Sequence, residues 1–314
     1  MLSAHLTARH LIQGRGKTVA MIYPIHSTTN TGFTVALVAL HALVLIALPA
    51  WLDVSAWYAL VLVPLLALSS LHWGLIHEGI HKNLLSDAAD NDRTSRLLGI
   101  LMGASFHVLR FGHLMHHKLN RDWHSERIEK SSFGARIYYY ANLFFGLYLG
   151  EVMTSLLLTF LPRRRFMQFA RATFLKGYEE VAVAGERFFY QRGNVEHVRN
   201  DMLTTIALYG AAFGVYGAHY PVLLGFLFAR ALIISFLDNI YHYATPADNS
   251  KAGKELTLPE LGSLILLRSN FHETHHLNPE VPWHALPHVH AQQGRCFDGP
   301  WMLHARLQLN GPVV

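Results

Sequence analysis

The chain has 314 residues, of which 51% are hydrophobic and 15% charged, against roughly 25% charged in an average soluble domain. That balance points to a protein whose solvent is partly lipid, and the formal net charge of +5 is what basic cytoplasmic loops produce without a nucleic-acid partner. The only cysteine, Cys296, excludes an intrachain disulfide, a thiolate-held iron–sulfur cluster and a cysteine-based zinc site.

Residues 1–32 carry His5, Arg9, His10, Arg15 and Lys17 and lack the apolar core of a signal peptide, so they are expected to form a cytoplasmic tail. Residues 33–314 are expected to form one integral-membrane domain. The apolar runs 33–52 and 55–76 are each long enough to cross the hydrocarbon core, with Asp53 marking the outer turn between them. Residues 77–135 are polar and basic (Lys82, Arg93, Arg96, Arg110, Lys118, Arg121, Arg127, Lys130), which places them in the cytoplasm. The run 137–161 is apolar and aromatic, is interrupted by Gly146, Gly150 and Glu151, and ends at Pro162 before Arg163, Arg164 and Arg165. Residues 166–200 read as amphipathic. The stretch 202–237 is too long for one crossing and breaks at Gly217-Ala218-His219-Tyr220-Pro221, giving spans 202–218 and 221–237.

Histidine is the outlier, with 22 residues. Four clusters stand out: His77 and His81 (HxxxH), His113, His116 and His117 (HxxHH), His242, and His272, His275 and His276 (HxxHH). Residues three and four apart share a helix face, so the HxxxH pair aims two imidazoles at one point, and each HxxHH run aims its first and last, with the middle one offset but close. Nine imidazoles exceed the needs of one ion and argue for two. Imidazole suits zinc, copper, iron and nickel; nine histidines without carboxylates in the motifs' ligand positions are unusual for zinc, and two redox-active irons are the favoured reading. If the clusters build one site, they lie on one side of the membrane. The chain between them then crosses an even number of times, and 137–161 is interfacial or re-entrant. The expected fold is all-α, with four transmembrane helices in two hairpins and a cytoplasmic helical cap holding a di-metal site.

A lone histidine is more often packed or solvated than functional. That reading covers His5, His10, His26, His41, His124, His197, His219 and His304. His72, at the end of an apolar run where a polar group is costly, is a reserve ligand. His107, His284, His288 and His290 are weaker candidates. Glu78, Asp122, Asp238 and Glu273 sit beside the clusters and are candidates to accept from the outer N–H of a ligating imidazole. His77-Glu78-Gly79-Ile80-His81 also reads as HExxH, a zinc-protease signature, but a protease leaves the other clusters without a role. A metal transporter requires polar groups at mid-membrane depth, whereas these clusters lie at span ends.

The order HxxxH, HxxHH, HxxHH, split by apolar hairpins and joined by His242, resembles the histidine boxes of membrane fatty acid desaturases and related hydroxylases and ketolases. The likeness spans about 72–290 and includes Pro282-Trp283-His284. It implies two iron ions, O2 as co-substrate, and desaturation of a fatty acyl or other lipophilic chain, free or carrier-bound. Hydroxylation, ketone formation or desaturation of a small specialised metabolite is the alternative chemistry. It also implies electrons from a separate ferredoxin or cytochrome b-type protein with its reductase. The segment Asp238–His242 resembles a region in which an asparagine holds a metal-bound water, a role that falls to Asn239.

Overall fold

The computed structural model describes residues 10–14, 17–21, 23–119, 133–191, 193–246, 249 and 251–312. Asp122 and His124 lie outside the described residues. The described chain is mostly helical. A short antiparallel hairpin, β1 (His10–Gly14) with β2 (Lys17–Met21), precedes helix α1 (Ser27–Leu52). Helix α2 (Ala56–Ile80) follows after one turn, in which the Ser55 hydroxyl caps the new helix by accepting from the Trp57 N–H at 3.3 Å. Helix α3 (Ala88–Met102) starts where the Asp87 carboxylate accepts from the N–H groups of Ala89 and Asp90, each at 2.9 Å. Gly103, at φ +95°, ends it. Helix α4 (Phe106–Leu119) then leaves at 98°.

Helix α5 (Phe133–Phe160) stops before Pro162 and is followed by the short α6 (Arg163–Ala172) and α7 (Glu179–Tyr190). A long helical stretch, Asn194–Asn239, breaks at Gly217 (φ +49°) into α8 (Asn194–Tyr216) and α9 (Tyr220–Asn239). Four segments are long and apolar enough to cross a membrane: α1, α2, α5 and the α8–α9 stretch. The C-terminal region carries α10 (Glu260–Ile265), α11 (His272–Leu277), α12 (Leu286–Gln292) and α13 (Trp301–Leu307). A two-residue parallel pair, β3 (Leu256–Thr257) with β4 (Gly299–Pro300), ties it together. The small strand pairs are additions to the all-α expectation.

Two boundaries differ from the sequence expectation. The first apolar helix begins at Ser27 rather than Phe33, because Asn30 in its polar first turn is buried and its amide donates to the Leu84 carbonyl at 2.8 Å. Residues 27–32 therefore belong to the helix and not to the tail. The second apolar helix continues past residue 76 to Ile80, so His77 lies inside it.

The main apolar core packs Leu37, Leu48, Leu75, Leu98, Phe106, Tyr216 and Leu223 from six of these helices. Inside it the C-terminal end of α3 presents carbonyls that no further turn can satisfy. Tyr148 donates to the Met102 carbonyl, Tyr209 to the Leu101 carbonyl at 2.7 Å, and Arg230 Nη1 to the same Leu101 carbonyl at 3.0 Å. Arg230 Nη2 donates to both tyrosine hydroxyls at 3.1 Å. The guanidinium, 1% exposed, thus sits at the negative end of the α3 dipole. It fixes the sharp bend from which α4 departs. Replacing Arg230 with Met should destabilise the protein by about 3 kcal/mol, the upper end for losing a charged hydrogen-bond donor. The check is the thermal unfolding midpoint in detergent; an unchanged midpoint would remove Arg230 from this role.

Candidate metal centre

Three helices and one loop supply the nine histidines. His77 and His81 come from the last turn of α2 and its C-cap; His113, His116 and His117 from α4; His242 from the turn after α9; and His272, His275 and His276 from α11. The structure gathers all nine. They form two groups whose ligand atoms lie within 4.8 Å of one another: His77, His81, His113, His117 and His275 in one, and His116, His242, His272 and His276 in the other.

The division follows helix geometry. In each HxxHH run the outer pair, spaced i,i+4, turns to one group, and the middle histidine, about 100° round the helix, turns to the other. His113 and His117 join the first group while His116 joins the second; His272 and His276 join the second while His275 joins the first. Each of these two helices therefore contributes to both groups.

The ring nitrogens face one another at short range. His113 Nε2 lies 2.9 Å from the Nε2 atoms of both His81 and His117, and His117 Nε2 lies 3.0 Å from that of His275. In the second group His276 Nε2 is 3.1 Å from the Nε2 atoms of both His116 and His272, and His272 is 2.6 Å from His242. Such chains of like atoms cannot all be hydrogen-bonded, because a neutral imidazole carries a single N–H. Nitrogens held about 2.1 Å from a shared ion, at right angles to each other, stand about 3 Å apart. The donor set and its spacing fit one cation per group.

The carboxylates beside the boxes differ in what they face. Glu78 is buried; its Oε2 accepts from the Trp283 N–H at 3.1 Å and its Oε1 lies 3.7 Å from His77 Nδ1. Glu273 pairs with Arg295. Asp238 lines the cavity beside the two groups. Asn239 donates to the Gln308 side chain at 3.1 Å.

His72 stays out of both groups: it is buried against the Leu98 carbonyl at 2.9 Å and edge-on to His41. His107 stacks on His197, His284 contacts the Pro24 carbonyl at 2.9 Å, His288 lies beside Tyr23, and His290 packs on Phe271 and Phe297.

Sequence reasoning noted Trp283 only as part of a likeness and missed its role, and it missed several other residues that shape the site. Trp283, in the turn after the third box, joins Glu78 of the first box to Asn30 of α1, its indole N–H reaching Asn30 Oδ1 at 3.0 Å. Tyr241 stacks on His272 with ring centroids 4.8 Å apart. Arg230 had a legible signal, a lone cation in an apolar run. Buried Glu255, an ordinary acid in a polar stretch, had none.

Beside the two groups lies a cavity lined by His77, His113, His272 and His275 and by Trp73, Ile234, Leu237, Leu266 and Leu267. Gly74 leaves room for Leu267, whose side chain comes within 2.9 Å of where a Cβ at 74 would stand.

The histidine-box region matches the family model for fatty acid desaturase over residues 55–298, and the chain belongs to that family. No curated protein matches the chain.

Burial, and secondarily the neighbouring imidazoles, lower the pKa of His242, His272, His275 and His276 below the ordinary 6.5. The folded chain thus favours neutral rings with their lone pairs free. The unfolded chain takes up protons at the ordinary value, so this contribution to stability is fully present above 6.5 and is lost as pH falls below it. The unfolding midpoint of the metal-free protein should hold steady from about pH 8 to 6.5 and decline toward pH 5; a midpoint that rises on acidification would contradict neutral burial. The division into groups predicts graded metal loss. His242→Ala, confined to one group, should remove about one of two ions by elemental analysis, and retention of both would separate His242 from the centre.

Proposed function

From membership of the fatty acid desaturase family, we propose that the chain is a membrane oxidoreductase in which the nine histidines hold two iron ions. With O2 and electrons from a separate carrier protein, it removes hydrogen from a lipophilic chain, a fatty acyl chain first among candidates. The observation that carries this reading is the division of nine imidazoles, five of them buried and four partly exposed, into two adjacent groups beside one apolar cavity.

Two bound ferrous ions, supplied with O2 and electrons, provide the oxidising power that an unactivated C–H bond requires. The protein's own residues provide placement. Neutral imidazoles from the ends of α2, α4 and α11 keep the two positions fixed relative to each other. Trp73, Ile234, Leu237 and Leu267 form a wall against which a hydrocarbon chain lies with one segment facing His77, His113, His272 and His275. Holding that segment still converts a loose encounter into a fixed geometry. The apolar wall also excludes water from the reacting carbon.

The proposed topology has two hairpins, α1–α2 and α8–α9, with every histidine box on the cytoplasmic side. The turns of the two hairpins meet, with His219 Nε2 2.9 Å from Asp53 Oδ1. The 20 residues of α9 separate that contact from His242, about 30 Å and the thickness of a hydrocarbon core. Contacts at both ends of α5 support an interfacial or re-entrant path. Tyr139, near its start, donates to the Gln308 carbonyl and lies beside Tyr243, just beyond α9. The Leu161 carbonyl, just past its end, accepts from Arg199 near the start of α8. Both α5 ends thus lie at the box end of the α8–α9 pair. Lys82, Arg110, Lys118 and the run Arg163–Arg165 make that side basic, as a cytoplasmic face is.

The test is mass spectrometry of lipid and metabolite extracts from cells with and without the protein. A product two mass units lighter is expected; one sixteen units heavier would assign hydroxylation instead. His116→Ala should abolish the product, and full turnover in that variant would sink the reading.

A further inference from the structure

The third histidine box sits on a helix of six residues, His272–Leu277. So short a helix has almost no stability of its own, so its orientation comes from what it is packed against. Yet it carries ligand candidates for both groups: His275 for one, His272 and His276 for the other. A small rotation about its axis would displace all three imidazoles together and disturb both ion positions at once.

What grips this helix is a segment on the side away from the cavity. Glu255 is 1% exposed. Its Oε1 accepts from the backbone N–H of Thr274 at 2.7 Å and from the Thr274 hydroxyl at 2.5 Å. A carboxylate at the first turn of a helix also meets the positive end of its dipole. Because Thr274 lies between the box histidines, two bonds to that one residue fix both the azimuth and the height of the helix. Arg295 completes the clamp, donating from Nε to Glu255 Oε1 at 3.2 Å and pairing through Nη2 with Glu273. The strand around Glu255 lies flat against the box: Glu255 bridges to Phe271, Leu256 N–H donates to the Asn270 carbonyl at 2.8 Å, and Asp298 holds the Glu255 N–H at 2.7 Å. Gly253 stands so close to the first turn that a Cβ there would lie 3.1 Å from the Glu273 nitrogen.

We propose that Glu255, held by Arg295, is a positioning residue that sets the orientation of the third histidine box and thereby the affinity of both metal positions together. The proposal rests on the two-ion reading of the site but concerns a residue that touches neither group.

The experiment loads the purified full-length protein with iron and measures bound iron per chain by elemental analysis, affinity by competition with a chelator, and the Mössbauer spectrum. Glu255→Ala should weaken both positions about tenfold, the lower end of the effect of losing a group that orients metal ligands. Iron per chain should fall in step at both positions, and the spectrum of the remaining iron should change. Thr274→Val, which removes one of the two bonds and keeps the helix, should shift the spectrum in the same direction with a smaller loss. Thr274→Ser, which keeps both bonds, should restore wild-type values.

Loss of one ion only in Glu255→Ala, as expected for His242→Ala, would overturn the proposal. So would wild-type affinity and spectrum in both Glu255→Ala and Thr274→Val. If Glu255→Ala does not fold, the valine and serine pair decides alone, and identical iron binding in those two overturns it. Wild-type protein that takes up fewer than two ions would count against the two-ion reading itself, a result distinct from any change between variant and wild type.

Discussion

Lone pairs of buried imidazoles converging on two points govern this molecule. Rings with Nε2 atoms 2.9–3.1 Å apart cannot all satisfy one another through hydrogen bonds, and burial disfavours a positive charge of their own. A cation in each group would relieve such an arrangement. Nine side chains must also be held against their mutual repulsion before one arrives, so the rest of the fold reads as the means of holding them.

Much of that holding takes place where polar groups are hardest to accommodate. The sharp turn between Met102 and Phe106, which swings the second box into place, leaves carbonyls inside an apolar core. Arg230, Tyr148 and Tyr209 answer them from three other helices. At the opposite edge, Trp283 joins α1 to Glu78, so the residue behind the first box is fixed by the turn that follows the third. The third box is in turn gripped from behind by Glu255 and Arg295. Each box is thus oriented by a polar contact from a distant part of the chain, while the apolar packing around it supplies most of the stability.

The same geometry explains how one surface serves two kinds of neighbour. Toward the boxes, α2 and α9 present imidazoles and carboxylates; further along, they present Trp73, Ile234 and Leu237 to the cavity. On the proposed function, a hydrocarbon segment would gain by lying along the second region and would thereby be brought beside the first. Gly74 belongs to this design because its missing side chain lets Leu267 close against α2 and shape the cavity wall.

The sequence by itself determined what local periodicity controls: the apolar runs, the break at Gly217–Pro221, and the eight clustered histidines whose i,i+3 and i,i+4 spacing turns them to shared faces. These were legible because helix pitch converts spacing into direction without reference to any other part of the chain. Helix ends were less legible. Asn30 is polar, and its bonds to Leu84 and Trp283, each more than fifty residues away, hold the turn that carries the first helix back to Ser27. The assignment of each histidine to one group or the other, the exclusion of His72, and the parts played by Glu255, Arg295 and Trp283 were decided by tertiary structure alone. They depend on how separate helices are rotated and brought together, and that rotation is set by contacts between residues far apart in sequence, which no local pattern encodes.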